Sequence, residues 1–277
     1  MLASYITWTV DPAIFQIGPK EIRWYGLAFA IGFAIGYMIV ERMWKKEGLK
    51  PEWIDSLLIY TMLGTVIGAR LGHCLFYAPE HYLANPIEIL KIWEGGLASH
   101  GGTLGIIIAI YFYSKRISHR SMMWTFDKLV VPTGLVAAFI RLGNLMNHEI
   151  YGHPTDEPWG FRFITNIEAW RHGAEPLFSV PSHPTQLYEA LCYLITFAVC
   201  MFLYFCKEAW KKEGYIFGIF MIMIFGSRFF IEFLKNDQEA FEASMSLNMG
   251  QWLSIPFVLA GIYFMITAKP KDVQKIK

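Results

Sequence analysis

Seven predominantly apolar stretches recur along this chain, at about 24–43, 56–77, 98–116, 126–147, 186–206, 215–234 and 250–268. Roughly 20 such residues cross a bilayer as a helix. With 55% of 277 residues hydrophobic and only 17% charged, the expected fold is an all-α polytopic membrane protein, one integral domain over residues 1–277.

The net charge of +1 says little about partners, but the placement of Lys and Arg sets an orientation. Arg42, Lys45, Lys46 and Lys50 follow the first span; Lys115, Arg116, Arg120 and Lys128 surround the gap after the third; Lys207, Lys211 and Lys212 follow the fifth; Lys269, Lys271, Lys275 and Lys277 close the chain. The other loops are poor in positive charge. By the positive-inside rule the N-terminus lies outside and the C-terminus is cytoplasmic. Trp24, Trp93 and Trp252 would then mark the outer interface, and Trp44, Trp53, Trp124 and Trp210 the inner one.

The N-terminus lacks a basic n-region and the first apolar run is long enough to stay as a span, so no cleavable signal peptide is expected. Cys74, Cys192, Cys200 and Cys206 fall in or beside apolar segments without CxxC spacing, which argues against disulfides and metal clusters. The longest polar connection, about 148–185, is rich in proline and reads as a small outward-facing head between spans four and five. Residues 85–94 set Glu88, Lys91 and Glu94 at every third position among apolar residues, the pattern of a short interfacial helix. Gly32 and Gly36, Gly64, Gly68 and Gly72, and Gly101 and Gly105 recur at four-residue spacing and predict close helix packing. Internal repeats and low-complexity tracts are absent.

Given this topology, the polar residues inside the spans gather on the outer side. Tyr25 opens span one; Arg70 and His73 lie late in span two; His100 opens span three; Arg141 to Glu149 end span four; His183 to Glu189 open span five; Arg228 and Glu232 lie late in span six; Asn248 to Gln251 open span seven. Independent helices that contribute polar groups at one depth describe a cavity. An Arg at membrane depth is costly, about 2.5–3.5 kcal/mol on insertion scales, and its natural partner is a carboxylate or phosphate.

Arg228 and Glu232 are four apart and share a helical face, as do Arg141 and Asn144 at three-residue spacing. Two arginines can flank one phosphodiester. The alternative pairs Arg228 with Glu232 and Arg141 with Glu149 merely to fasten helices, and Arg70 reads as structural. His100, between Gly95-Gly96 and Gly101-Gly102, would sit near the outer water boundary, where a neutral imidazole can take a proton near neutral pH. His148 and His153 are one residue too far apart for a zinc-protease helix, and no Gly-x-Ser-x-Gly elbow occurs.

The run RLGNLMNHEIYG, Arg141 to Gly152, resembles the prolipoprotein diacylglyceryl transferase signature G-R-x-G-N-F-x-N-x-E-x-x-G. Further blocks resemble the family in order over about residues 20–260: Arg23 to Gly26, Gly68 to Gly72, Trp93 to Gly96 with His100 to Gly102, His183 to Glu189, Arg228 with Glu232, and Gly250-Gln251. Departures are Ile140 for Gly, Leu145 for Phe, and Lys235-Asn-Asp237 for the usual Arg-x-x-Asp.

The resemblance implies transfer of the diacylglyceryl group of phosphatidylglycerol to the lipobox cysteine of preprolipoproteins, making a thioether and releasing glycerol phosphate. It implies a bacterial inner-membrane enzyme with its active site on the outer face. It also implies substrates that enter from the bilayer, and no metal, nucleotide, nucleic acid or cofactor. Arg141 and Arg228 are assigned to the phosphate, and His100 to thiol deprotonation with Tyr25 as its hydrogen-bonding partner. Asn144, Asn147, Glu149, Gly152 and Glu232 complete the phosphatidylglycerol site. The competing class is a transporter or channel for an anionic solute or lipid, which predicts polar residues in both halves of the spans.

Overall fold

A computed structural model describes residues 5–18, 20–92, 95–236 and 245–270 of the chain. It is predominantly helical, and six helices are long and apolar enough to cross a membrane: Trp24–Glu47, Pro51–Phe76, Met122–Met146, Thr185–Phe205, Tyr215–Leu234 and Met249–Thr267.

In chain order the helices are α1 (Trp24–Glu47), α2 (Pro51–Phe76), α3 (Pro79–Ala84), α4 (Ser99–Tyr113), α5 (Met122–Met146), α6 (Ile167–Arg171), α7 (Thr185–Phe205), α8 (Tyr215–Ile231) and α9 (Met249–Thr267). A 3-10 turn, Glu232–Leu234, prolongs α8. The short strands are β1 (Ile6–Thr7), β2 (Ala13–Ile17), β3 (Lys20–Arg23), β4 (Phe161–Arg162), β5 (Lys212–Glu213) and β6 (Lys269–Pro270). They form three two-stranded sheets, β1 parallel to β4 and the pairs β2–β3 and β5–β6 antiparallel.

The third span stands in part, and two other expectations change. The third span, expected over 98–116, is a 15-residue α-helix followed by a π-helical turn, Ser114–Ser118, and is not among the six long helices. Gly95 and Gly96 precede it at φ 89° and 69°, and His119 stops the turn at φ 53°, so left-handed residues bound the segment on both sides. The interfacial helix expected over 85–94 is a 3-10 turn, Pro86–Leu90, behind α3; Trp93 and Glu94 lie outside the described residues, as do Asp237, Lys271, Lys275 and Lys277. Trp44 and Trp124 do not face a headgroup layer: they are 2% and 1% exposed, with ring centroids 5.7 Å apart, and Trp53 meets Trp124 edge-on.

The chain divides into two compact units, residues 40–126 and the remainder. In the smaller unit α2 and α4 pack through glycines: a Cβ on Gly64 would lie 2.7 Å from the Gly105 carbonyl oxygen, and one on Gly72 2.8 Å from Gly101 Cα. The small-residue spacing therefore serves backbone-to-backbone approach. Arg70, 3% exposed, is indeed structural. Its guanidinium donates to the carbonyls of Glu88 (2.5 Å), Ile89 (2.9 Å), Gly95 (2.6 Å) and Gly96 (3.3 Å) and lies 5.0 Å over the Tyr82 ring. One buried cation thereby satisfies the carbonyls of a loop that has no ladder of its own.

In the larger unit α7, α8 and α9 pack in sequence order, with Gly218 and Gly261 allowing α8 and α9 to touch backbone to backbone. Gly32 and Gly36 lie against Val136, Phe139 and Pro132 of α5. The segment between α5 and α7 folds around Phe161 and Phe163, both buried, with Tyr151 stacked on Phe163 at 4.7 Å. Leu145, 3% exposed, joins this cluster, and Trp8 Nε1 donates to its carbonyl at 3.1 Å. The β2–β3 hairpin is tied to α6 by Arg171, which donates to both oxygens of Glu21 at 3.0 and 2.6 Å. Those bonds hold the Glu21 carboxyl below its usual range.

Candidate active site

Glu189 lies in the second turn of α7 and is fully buried. Its Oε2 faces Arg141 Nε at 2.9 Å, and its Oε1 accepts from Lys235 Nζ at 3.3 Å and from Tyr193 Oη at 3.3 Å. The Arg141 contact is an ion pair by distance, without the alignment of a hydrogen bond. Lys235 also donates to Glu232 Oε1 at 3.2 Å, and the same oxygen accepts from Arg228 Nε at 3.2 Å. The resulting chain, Arg141–Glu189–Lys235–Glu232–Arg228, joins α5, α7 and α8 with three cations and two carboxylates.

Glu232 has a further support in α9. Asn248 caps that helix, accepting from Gln251 N at 2.9 Å while Gln251 Oε1 accepts from Asn248 N at 3.0 Å. Asn248 Nδ2 donates to Glu232 Oε2 at 3.2 Å. Gly250 lets the carboxylate come this close, since a Cβ there would sit 2.6 Å from Glu232 Cδ. A carboxylate at a helix N-terminus is favoured by the partial positive charge of its unsatisfied N–H groups.

On the α5 side Arg141 Nη1 donates to Asn144 Oδ1 at 3.2 Å, and Asn144 Nδ2 passes the network to Glu149 Oε1 at 2.8 Å. Asn147 Nδ2 donates to the same oxygen at 3.1 Å, and Gln186 Nε2 donates to the Glu149 carbonyl at 2.6 Å. Asn147 Oδ1 and Gln186 Oε1 are buried acceptors with no hydrogen-bond partner among the described residues. Gly152 pairs with Lys235 in a β-bridge and its carbonyl accepts from Asn236 Nδ2 at 2.9 Å. Leu234, Thr185 and His183 leave no room for a Cβ there. Tyr25, half-buried at the start of α1, lies over Gly143, where a Cβ would be 3.1 Å from Tyr25 Cα.

The larger unit thus brings together Arg141, Asn144, Asn147, Glu149, Arg228 and Glu232 in one network, with Gly152 and Tyr25 beside it. His100 belongs to the smaller unit, exposed in the first turn of α4. Arg228 pairs with Glu232 as the spacing predicts, whereas Arg141 takes Glu189 and reaches Glu149 only through Asn144.

The sequence placed Glu189 and Asn248 among the polar groups of the cavity and marked Lys235 as a departure, but gave none of them, nor Tyr193, a role in the site. The available signal for the first was a carboxylate at the start of an apolar run. For Lys235 it was the departure from the usual Arg.

A family model for prolipoprotein diacylglyceryl transferase matches residues 12–267. The chain belongs to this family. Its relatives include a phosphatidylglycerol–prolipoprotein diacylglyceryl transferase from Porphyromonas gingivalis, 54% identical over 96% of this chain and 96% of the relative. Proteins of the same name from Tolumonas auensis (46%, 95% and 98% covered) and Chloroherpeton thalassium (43%, 94% and 93% covered) are also similar. The ion-pair chain therefore lies inside a member of the prolipoprotein diacylglyceryl transferase family.

Proposed function

We propose that this chain transfers the diacylglyceryl group of phosphatidylglycerol to the lipobox cysteine thiol of preprolipoproteins, with the Arg141–Arg228 network as its phosphate site. The observation that carries this reading is that one network fixes two guanidinium groups. Among the described residues Arg141 pairs with Glu189 and Arg228 with Glu232, Lys235 bridges these two carboxylates, and Glu149 accepts from Asn144 and Asn147. An anionic phosphodiester is suited to guanidinium groups held in place in this way, in a water-poor site.

The thiol sulfur forms a bond to the glyceryl carbon, the carbon–oxygen bond to phosphate breaks, and the electron pair leaves with glycerol phosphate. Guanidinium groups fixed before the reaction stabilise the charge that gathers on the leaving phosphate, an effect worth about 3 kcal/mol per donor. Arg141 uses Nε and Nη1 in its protein contacts, and Arg228 uses Nε while 32% of its side chain stays exposed. Asn147 Oδ1 and Gln186 Oε1 are acceptors suited to the glycerol hydroxyls. His100 takes the thiol proton, and Tyr25 is assigned a supporting hydrogen-bonding role in the transfer.

The enzyme sits in the bacterial inner membrane with seven spans, α4 and its π-helical turn supplying the seventh. The N-terminus and the head at about 148–185 face outward and the basic ends face the cytoplasm. Family membership does not favour a transporter.

Glycerol phosphate release from phosphatidylglycerol vesicles by the purified protein tests the reading, with a lipobox peptide and its Cys→Ser version. Release that needs both the Cys and Arg141, with a matching gain of mass on the peptide, is expected. Release unchanged in Arg141→Ala would remove the phosphate assignment, and normal turnover in His100→Gln would remove the base.

A further inference from the structure

The smaller unit carries a second cationic site, at the end of α4 remote from His100. Helix α4 exposes Leu104, Ile107, Ile108 and Tyr111, spaced i, i+3, i+4 and i+7 on one face. This stripe ends at Tyr111, on the lip of a cavity of about 400 Å³ whose walls include Ser114, Lys115, His119, Arg120 and Ser121. No carboxylate is among the described residues that line it.

The backbone around the cavity also favours an anion. Helix α5, 25 residues long, starts at Met122 on the cavity wall, and Ser121 Oγ accepts from Trp124 N at 3.0 Å. The remaining first-turn N–H groups of such a helix present partial positive charge. A second observation points to a ligand: Ser114 is 6% exposed, lines the cavity, and its Oγ has no hydrogen-bond partner among the described residues. A buried hydroxyl left in that state is costly unless something binds it.

We propose that this cavity binds the phosphate of an anionic phospholipid, with an acyl chain lying along the Leu104–Tyr111 stripe. Lys115 and Arg120 supply the charge, and Ser114 hydrogen-bonds a phosphate oxygen. The apolar stripe running into the cavity selects a lipid over a free phosphate. The site lies about 20 Å along α4 from His100, at 1.5 Å rise per residue, and does not depend on the transfer reaction.

Native mass spectrometry of the full-length, delipidated protein tests it. Phosphatidylserine serves as the anionic probe, since it is not the donor proposed above, and phosphatidylcholine as the neutral one. Wild type is expected to retain one phosphatidylserine and to bind it about tenfold more tightly than either Lys115→Gln/Arg120→Gln or Ser114→Leu, which removes the hydroxyl, narrows the cavity and keeps every charge. All three proteins should release glycerol phosphate alike. Equal retention of the two lipids by wild type would overturn the proposal without any variant. So would a Ser114→Leu protein that still holds phosphatidylserine, because binding would then be diffuse charge. Displacement by millimolar inorganic phosphate would overturn the lipid assignment.

Discussion

Arg141 Nε lies 2.9 Å from Glu189 Oε2, and Glu189 is fully buried. The guanidinium that the signature places on α5 is therefore aimed by a carboxylate from α7, 48 residues later in the chain. Breaking a buried pair by removing one partner costs about 3–5 kcal/mol, because the other charge stays behind unpaired.

Glu189→Gln is the direct probe of this relationship. It keeps the shape, leaves Arg141 and Lys235 without their shared counter-charge, and should lower glycerol phosphate release at least about 100-fold, with a fall in thermal stability of about 3 kcal/mol. Wild-type turnover in a variant of unchanged melting temperature would show that Arg141 does not depend on Glu189.

Lys235, 2% exposed, bridges Glu189 and Glu232. Lys235→Met should be strongly impaired in both stability and turnover, whereas Lys235→Arg keeps the positive charge and should retain activity within about tenfold. Steady-state rates of the two variants in matched lipid, with melting curves, separate the cases. A fully active Met variant would end the bridging role.

Gly250 permits the contact between α9 and Glu232. An added Cβ would lie 2.6 Å from Glu232 Cδ, so Gly250→Ala should push the carboxylate off Arg228 and cost about 1–3 kcal/mol in packing. Turnover should fall more than stability does. Equal activity for Gly250→Ala and wild type would mean that Glu232 need not hold its position.

His148 gives a pH dependence. Burial holds its imidazole below its ordinary pKa, and Nδ1 accepts from Ile164 N at 3.0 Å while Nε2 donates to the Val10 carbonyl at 2.9 Å. Protonation at Nδ1 would break the first bond. Because the folded pKa is depressed, the contribution is complete above the unfolded value of about 6.5 and is lost as pH falls below it. Hydrogen-exchange protection of the Ile164 amide, corrected for intrinsic rate, should drop between about pH 7 and pH 5. Constant protection over that range would exclude this titration.

Much was legible in the sequence because it depends on local composition and fixed helical spacing. Apolar runs gave six long helices, four-residue glycine spacing gave the α2–α4 contact, and the Arg228–Glu232 pair followed from i,i+4 geometry on one helix turn. Motif blocks identified the family. What the tertiary structure alone decided is which distant groups meet. Glu189 displaced Glu149 as the partner of Arg141, and Lys235 became a bridge instead of an exit-loop residue. Trp44 and Trp124 turned inward, and residues 86–90 became a turn held by Arg70. Local patterns set each helix and its polar face, but a buried charge takes whichever counter-charge packing brings within about 3 Å, and that choice is made only when helices far apart in sequence come together.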